Sequence, residues 1–172
     1  MKKHIAFLRA INVGGTKIIK MDHLKKTFES FGLQNVQTYI QTGNVIFEEQ
    51  ASPNLEAQIE KQLEAALGYQ VEVFIRSLDE LTKIVKQDHF EPKETDTLHI
   101  VFLREKPNKA LVDTLKKLDS PADEFAVIGR EVYNLRHDRD KSVFSNNFIE
   151  KIFGTATTRN ITTLKKIFEK YR

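Results

Sequence analysis

The chain has no cysteine and no tryptophan, only 7 glycines and 4 prolines in 172 residues, and no apolar run of membrane-spanning length. Without cysteine there is no disulfide framework, no thiolate zinc site and no thiol nucleophile, a composition that fits a reducing cytoplasm. A spanning helix needs about 20 consecutive apolar residues. Met1-Lys2-Lys3 leads straight into strand-like sequence rather than into the apolar core of a signal peptide. We therefore expect a cytoplasmic protein with no membrane partner. Glycine and proline form no biased segment, and 40% hydrophobic with 30% charged residues describes an ordinary globular protein rather than a disordered one.

A large charge of one sign is also missing, since 27 Lys and Arg face 24 Asp and Glu for a net charge of +3. Residues 1–92 hold 11 basic and 12 acidic side chains, residues 93–172 hold 16 and 12, and from Arg130 onward the ratio is 10 to 5. The basic tail is either a solvated face of the last helices or a contact surface for an anion or a nucleic acid.

What is present is a repeat. His4-Ile5-Ala6-Phe7-Leu8-Arg9-Ala10 returns 95 residues later as His99-Ile100-Val101-Phe102-Leu103-Arg104-Glu105. Each copy is apolar on both alternating faces, the mark of a strand buried on two sides. In the first copy Leu24, Phe28 and Phe31 follow at helical spacing. Val36–Gln41 and Val45–Glu48 flank Thr42-Gly43-Asn44 as a hairpin, Leu55, Ile59, Leu63 and Leu67 form a second helical stripe, and Val71–Ile75 is a fourth strand. Ser77-Leu78-Asp79-Glu80 is a capping box that opens a trailing helix.

The order βαββαβ is that of a ferredoxin-like unit, and the second half repeats it. Arg159-Asn160-Ile161 answers Arg76-Ser77-Leu78. Only Gly154–Thr158 stands where the fourth strand should be, so a stub of strand or none is expected there. The predicted fold is α+β, a tandem duplication with units at 1–90 and 97–172 packed together. Intrachain packing would cover the second face of each opening strand.

The copies differ after the first strand, where only the first has Ile11-Asn12-Val13-Gly14-Gly15-Thr16-Lys17. The sheet order 4-1-3-2 makes strands one and two parallel. Asn12, Gly14, Gly15 and Lys17 then lie near Gln41, Thr42, Gly43 and Asn44. Paired glycines let backbone N–H groups converge on an anion, with Lys17 adding charge, and they serve equally well as a tight turn. The spacing matches neither a Walker loop nor a dinucleotide turn.

Thr158, Arg159 and Asn160 precede the last helix, whose N-terminus attracts anions; Asn160 or Thr158 would also serve as its cap. Arg9 ends the first strand beside the loop, as a ligand contact or an ion-pair partner. Tyr39 and Ser142 complete the ligand-binding set. Tyr39, Ser142 and Ser145 lack a visible activating base, so no catalytic residue is assigned. His137-Asp138-Arg139-Asp140 is a mixed-charge loop rather than a metal site, and the cofactor is unknown. Phe7 and Phe47 fall on central strands, but Asn44–Glu49 lacks the basic aromatic pattern of RNA-binding sheets.

Leu8–Gly15, Thr38–Phe47 and Thr157–Thr163 closely resemble the hallmarks of the bacterial domain of unknown function (DUF) family 1697. The resemblance implies a compact α+β protein with ferredoxin-like units and supplies no established activity. Ala10, Thr42 and Ile161 stand where the family often has glycine, serine and tryptophan, and Ser142 matches a family position near the hairpin exit. The function expected is binding of a small anionic or nucleotide-like ligand by the glycine loop, the first hairpin and the Thr-Arg-Asn turn. The alternative is a nucleic-acid or protein interaction module using the basic C-terminal surface. Whether the protein is an enzyme is left open.

Overall fold

A computed structural model describes residues 1–50 and 52–172. The first half runs β1 (Lys2–Leu8), α1 (Met21–Ser30), β2 (Gln34–Tyr39), β3 (Asn44–Glu49), α2 (Leu55–Leu67), β4 (Val73–Ser77) and α3 (Leu78–Val85). The second runs β5 (Thr97–Phe102), α4 (Lys109–Lys116), β6 (Asp123–Ile128), β7 (Glu131–Arg136), α5 (Asn146–Phe153), β8 (Thr157–Asn160) and α6 (Ile161–Tyr171). Two four-stranded antiparallel sheets result, ordered β2-β3-β1-β4 and β6-β7-β5-β8. This is the duplicated ferredoxin-like α+β fold that the repeat predicts. Two compact units are distinguished: Val85–Lys166, and Met1–Ile84 together with the C-terminal residues Ile167–Arg172.

Strand β1 is central, and Ile5, Ala6, Phe7 and Leu8 are all buried. Ala6 and Leu8 join Val45, Phe47, Val73 and Ile75 beneath Leu24 and Phe28 of α1 and Ile59 and Leu63 of α2. Ile5 and Phe7 alternate to the other face, where Ile46 and Phe74 are also buried, as period-two burial requires. In the second unit Val101, Phe125 and Val132 pack with Leu115 of α4 and Ile149 of α5, while Ile100, Phe102 and Tyr133 occupy the opposite face. The capping box forms as expected, with Ser77 N–H donating to Glu80 Oε2 at 2.7 Å and Glu80 N–H to Ser77 Oγ at 3.1 Å.

The edge strand β4 is protected by the helix that precedes it. Glu60 Oε1 accepts the Val73 N–H and Glu56 Oε1 the Ile75 N–H, each at 2.8 Å. A carboxylate that takes an edge N–H blocks the pairing through which exposed strands aggregate. Glu56 also stands 3.9 Å from the fully buried guanidinium of Arg76, so one side chain serves both the backbone and a buried cation.

One expectation is corrected. The Thr157–Asn160 segment, read as a turn with at most a stub of strand, is strand β8, paired to β5 with His99 opposite Asn160 and Phe102 opposite Thr157. Its residues carry little apolar signal, but the unmet hydrogen-bonding groups on the open side of a buried central strand recruit any segment that can extend. β-branched Thr157 and Thr158 do so readily. Thr157 and Arg159 take the inward positions, and Thr158 and Asn160 the half-buried ones.

Replacing Glu56 with alanine strips the Ile75 N–H of its acceptor and Arg76 of its nearby carboxylate. We expect a loss of about 1–3 kcal/mol in urea unfolding, with a smaller loss for the surface control Glu64→Ala.

Candidate functional site

The end of the first unit where β1 stops is built around one side chain. Asn12 Oδ1 accepts the Ile19 N–H at 2.7 Å, and Asn12 Nδ2 donates to Ile19 O at 3.0 Å and to Gln41 O at 2.9 Å. The backbone N–H of Asn12 donates to Lys17 O at 3.2 Å. The carboxamide thus closes the base of the 13–18 loop as a neighbouring strand would, and ties it to the turn between β2 and β3. Within the loop, Val13 and Thr16 form an isolated bridge across Gly14 (φ 59°) and Gly15 (φ 74°). Two successive positive φ values are what a two-residue type I′ turn requires, so the paired glycines make a tight β-ribbon.

The hairpin packs closely on the chain that leads into this ribbon. Gly43 O accepts the Leu8 N–H at 2.8 Å, and a Cβ on Gly43 would stand 2.7 Å from Ile11 Cδ1 and 3.0 Å from Leu8 Cβ. Asn44 is fully buried, and its Nδ2 donates to Tyr39 O at 2.9 Å and to Thr42 Oγ1 at 3.0 Å. Ala10, Asn12, Lys17 and Ile40 all have φ near +50°, which costs about 1–2 kcal/mol per non-glycine residue. For β-branched Ile40 the conformation is a true outlier. Such strain persists only where the surroundings over-determine the backbone. Here the Asn12 bonds hold Asn12 and Lys17 directly and Ile40 through its neighbour Gln41.

The charged members of this region have partners. Arg9 pairs with Glu72 at 3.0 Å. Lys17 donates to Gln70 O at 3.0 Å and lies over the Tyr69 ring, 5.6 Å from its centre. Tyr39 meets Tyr171 edge-on at 6.4 Å, with the Lys170 ammonium 5.6 Å from the Tyr39 ring centre. Val13, Gly14, Gly15, Thr16, Lys17 and Ile18 are exposed, as are Ile40, Gln41 and Thr42. Topology therefore brings Arg9, Asn12, Gly14, Gly15, Lys17, Gln41, Thr42, Gly43 and Asn44 to one end of the first unit.

The remaining candidates belong to the second unit. Arg159 donates to Thr157 Oγ1 and to Thr158 O, both at 2.9 Å, and burial pulls its guanidinium down to about 10. Asn160 Oδ1 accepts the Thr162 N–H at 2.9 Å, which makes it the cap of α6. Ser142 donates from Oγ to Asp123 Oδ1 at 2.7 Å. That buried carboxylate also accepts Asn134 Nδ2 at 3.0 Å and the Val143 N–H at 2.9 Å.

Asp123 and Arg76 were not singled out by sequence. Arg76 had a signal, because it answers Arg159 in the repeat and sits in the same register, Arg76 opposite Ile5 as Arg159 is opposite Ile100. Asp123 had none. His137 lies between Asp96 and Glu124, and among the described residues no group of three His, Cys, Asp or Glu is placed to hold a metal ion.

A family model described as protein of unknown function (DUF1697) matches residues 1–133. The chain belongs to this family. The matched span contains the whole ribbon-and-hairpin end, so the feature built around Asn12 lies inside the family region. A solved structure titled as the conserved bacterial protein SP0830 from Streptococcus pneumoniae is similar in fold. Its TM-score is 0.71 at 20% identity, over 98% of this chain and 97% of that one. No curated protein matches the chain. No helix is long and apolar enough to cross a membrane among the described residues.

Gly43→Ala combines positive-φ strain with overlap against Ile11 and Leu8, and we expect it to cost about 2–4 kcal/mol in thermal or urea unfolding. Gly14→Ala meets nothing within 4 Å and should cost only about 1–2 kcal/mol. Equal losses would contradict the close packing of the hairpin on Leu8 and Ile11.

Proposed function

We propose that the ribbon-and-hairpin end of the first unit binds a small anionic or nucleotide-like ligand. The supporting observation is a tip that is held firmly yet turned to solvent. Asn12 fixes its base, while Gly14 and Gly15 are exposed and their N–H groups meet no acceptor among the described residues. Pre-positioned backbone donors with a neighbouring lysine suit a phosphate or carboxylate.

Beside them stand Val13, Ile18 and Ile40, exposed by 58%, 73% and 48%. Each is next in sequence to a residue of the Asn12 hydrogen-bond set, so the same end of the unit offers exposed apolar side chains for the flat or apolar part of a ligand. Three side chains fall far short of the roughly 1,200 Å² that a specific protein interface needs, so a small molecule fits better than a protein. A cytoplasmic location accompanies this reading, in keeping with the cysteine-free chain.

Thermal shift and calorimetric titration against AMP, ATP and inorganic phosphate test the proposal. A ligand that binds only the folded state raises the melting temperature. We expect a nucleotide to do so, and we expect Ile18→Ser and Lys17→Ala each to weaken its binding about tenfold, or about 1.4 kcal/mol. No shift with any member of the panel, or wild-type affinity in both variants, overturns it.

A second reading rests on α6, where Lys165, Lys166 and Lys170 are exposed while Ile161, Leu164, Ile167 and Tyr171 are buried, and on the exposed Arg172 that follows it. Salt-sensitive retention on heparin or single-stranded RNA, lost when Lys165 and Lys166 are reversed to glutamate, would favour a nucleic-acid surface instead.

A further inference from the structure

Outside the ribbon, the second unit holds an imidazole with an acid at each nitrogen. His137 follows β7, and its Nδ1 lies 2.9 Å from Asp96 Oδ1 while its Nε2 lies 2.6 Å from Glu124 Oε2. The three residues come from separate pieces of chain. Asp96 closes a turn in the segment leading into β5, where its N–H donates to Lys93 O at 3.0 Å and its Oδ2 accepts the Lys93 N–H at 2.9 Å. Glu124 lies on β6, the edge strand of the second sheet. The backbone of His137 is anchored independently, its N–H donating to Ala122 O at 2.8 Å.

A neutral imidazole carries one N–H and one lone pair, whereas an imidazolium carries two N–H groups. Carboxylates at both nitrogens are therefore compatible only with the doubly protonated ring. With one proton gone, the remaining N–H can serve a single acid, and the other faces a lone pair at hydrogen-bonding distance. Exposure decides which acid leaves. The Asp96 side chain is 4% exposed and doubly engaged in its own turn, while the Glu124 side chain is 46% exposed and has room to swing into water.

We infer that Asp96, His137 and Glu124 form a proton-operated tie that fastens the 93–96 turn to the β6 edge strand and opens on the Glu124 side when the ring becomes neutral.

The charges that act on the tie agree with this. Hydrogen bonding to Glu124, then to Asp96, raises the His137 pKa above its ordinary value, against an opposing effect of burial. The Asp96 carboxyl is held below its ordinary range chiefly by the Lys93 N–H, with His137 and the Lys93 charge adding to it. Arg136 and Asp138 flank His137 on its own segment, and Asp138 is occupied with the Asp140 N–H at 3.0 Å.

The raised histidine contributes stability that is complete below pH about 6.5 and disappears as pH rises through its folded-state value. The lowered aspartate contributes stability that is present above pH about 3.9 and is lost below it. The stabilisation is thus complete between about pH 4 and 6.5, and the tie itself opens only as pH rises through the higher folded-state value of His137. His4 and His99 shift the other way, both lowered by burial, so a bulk measurement would mix opposing contributions.

A site-resolved NMR titration of the His137 ring in the full-length protein is the test. We expect an apparent pKa clearly above 6.5, a neutral form with the proton on Nδ1, and a marked downward shift of that pKa in Glu124→Gln. The melting-temperature difference between the wild type and Glu124→Gln should be largest near pH 6 and vanish at the alkaline end. A His137 that titrates at or below 6.5, a neutral form protonated on Nε2, or an unaltered pKa in Glu124→Gln would overturn the inference. Glu124 is half exposed, so the variant should fold; if it does not, the wild-type titration and tautomer decide alone.

Discussion

A central antiparallel strand must satisfy two neighbours and two faces at once, and β1 and β5 meet that demand in the same way. β1 hydrogen-bonds to β3 and β4 and β5 to β7 and β8, so along His4–Phe7 and His99–Phe102 successive residues turn their backbone groups alternately to paired strands on both sides. With both faces covered, no unpaired polar side chain can be placed along the strand without a desolvation cost of a few kcal/mol. The result is Ile5–Leu8 and Ile100–Phe102, apolar and buried throughout. Polar chemistry is thereby pushed to where the central strand ends. In the first copy it begins at Arg9 and Asn12, and Asn12 then supplies with its side chain the hydrogen bonds that a continued strand would have supplied with its backbone. In the second copy the chain passes through Pro107 to Asn108, whose side chain accepts the Leu111 N–H at 2.9 Å and starts α4 directly. One constraint thus gives two outcomes, a displayed ribbon and a short cap.

The same constraint explains the buried arginines. Arg76 and Arg159 occupy matching places on β4 and β8, the strands that close the open side of β1 and β5. An edge strand offers a long side chain backbone oxygens to bind, and both arginines use their own strand: Arg76 donates to Ile75 O at 2.9 Å, Arg159 to Thr158 O at 2.9 Å. Recurrence in both copies gives Arg159 a part in the scaffold. The loop of glycines occurs once, which sets it apart from what duplication alone requires.

What could be read from sequence was whatever depends on periodicity and local signals. The repeat, the βαββαβ order, the capping box at Ser77 and Glu80 and the hairpin around Gly43 all rest on neighbouring residues, and each has its counterpart in the fold. The meeting of ribbon and hairpin followed from topology alone. Strand β8 was under-read because its pairing energy comes from β5, more than 50 residues away, rather than from its own side chains. Topology puts Asn12 near the hairpin, but its carboxamide is occupied by Ile19 and Gln41, contacts that no pattern announces. The Asp96, His137 and Glu124 array was out of reach for the same reason, since its members are separated by 41 and 13 residues.

The interior of the second unit shows how one exchange between copies forces others. Opposite His4 stands Phe47, and the two rings stack 5.6 Å apart. Opposite His99 the same register holds Asn134, and the stacking ring comes instead from Phe144, at 5.0 Å. An amide in place of a phenyl on a buried face requires partners of its own. Asp123 accepts one donor of Asn134 but brings a charge that must itself be satisfied, and Ser142 Oγ and the Val143 N–H do so. Those two bonds fix residues 142–143, and Ser142 Oγ also accepts the Phe144 N–H at 3.1 Å, which seats Phe144 against His99. The loop between β7 and α5 is therefore positioned by the polar exchange at Asn134, and the aromatic ring it delivers restores the packing that the exchange removed.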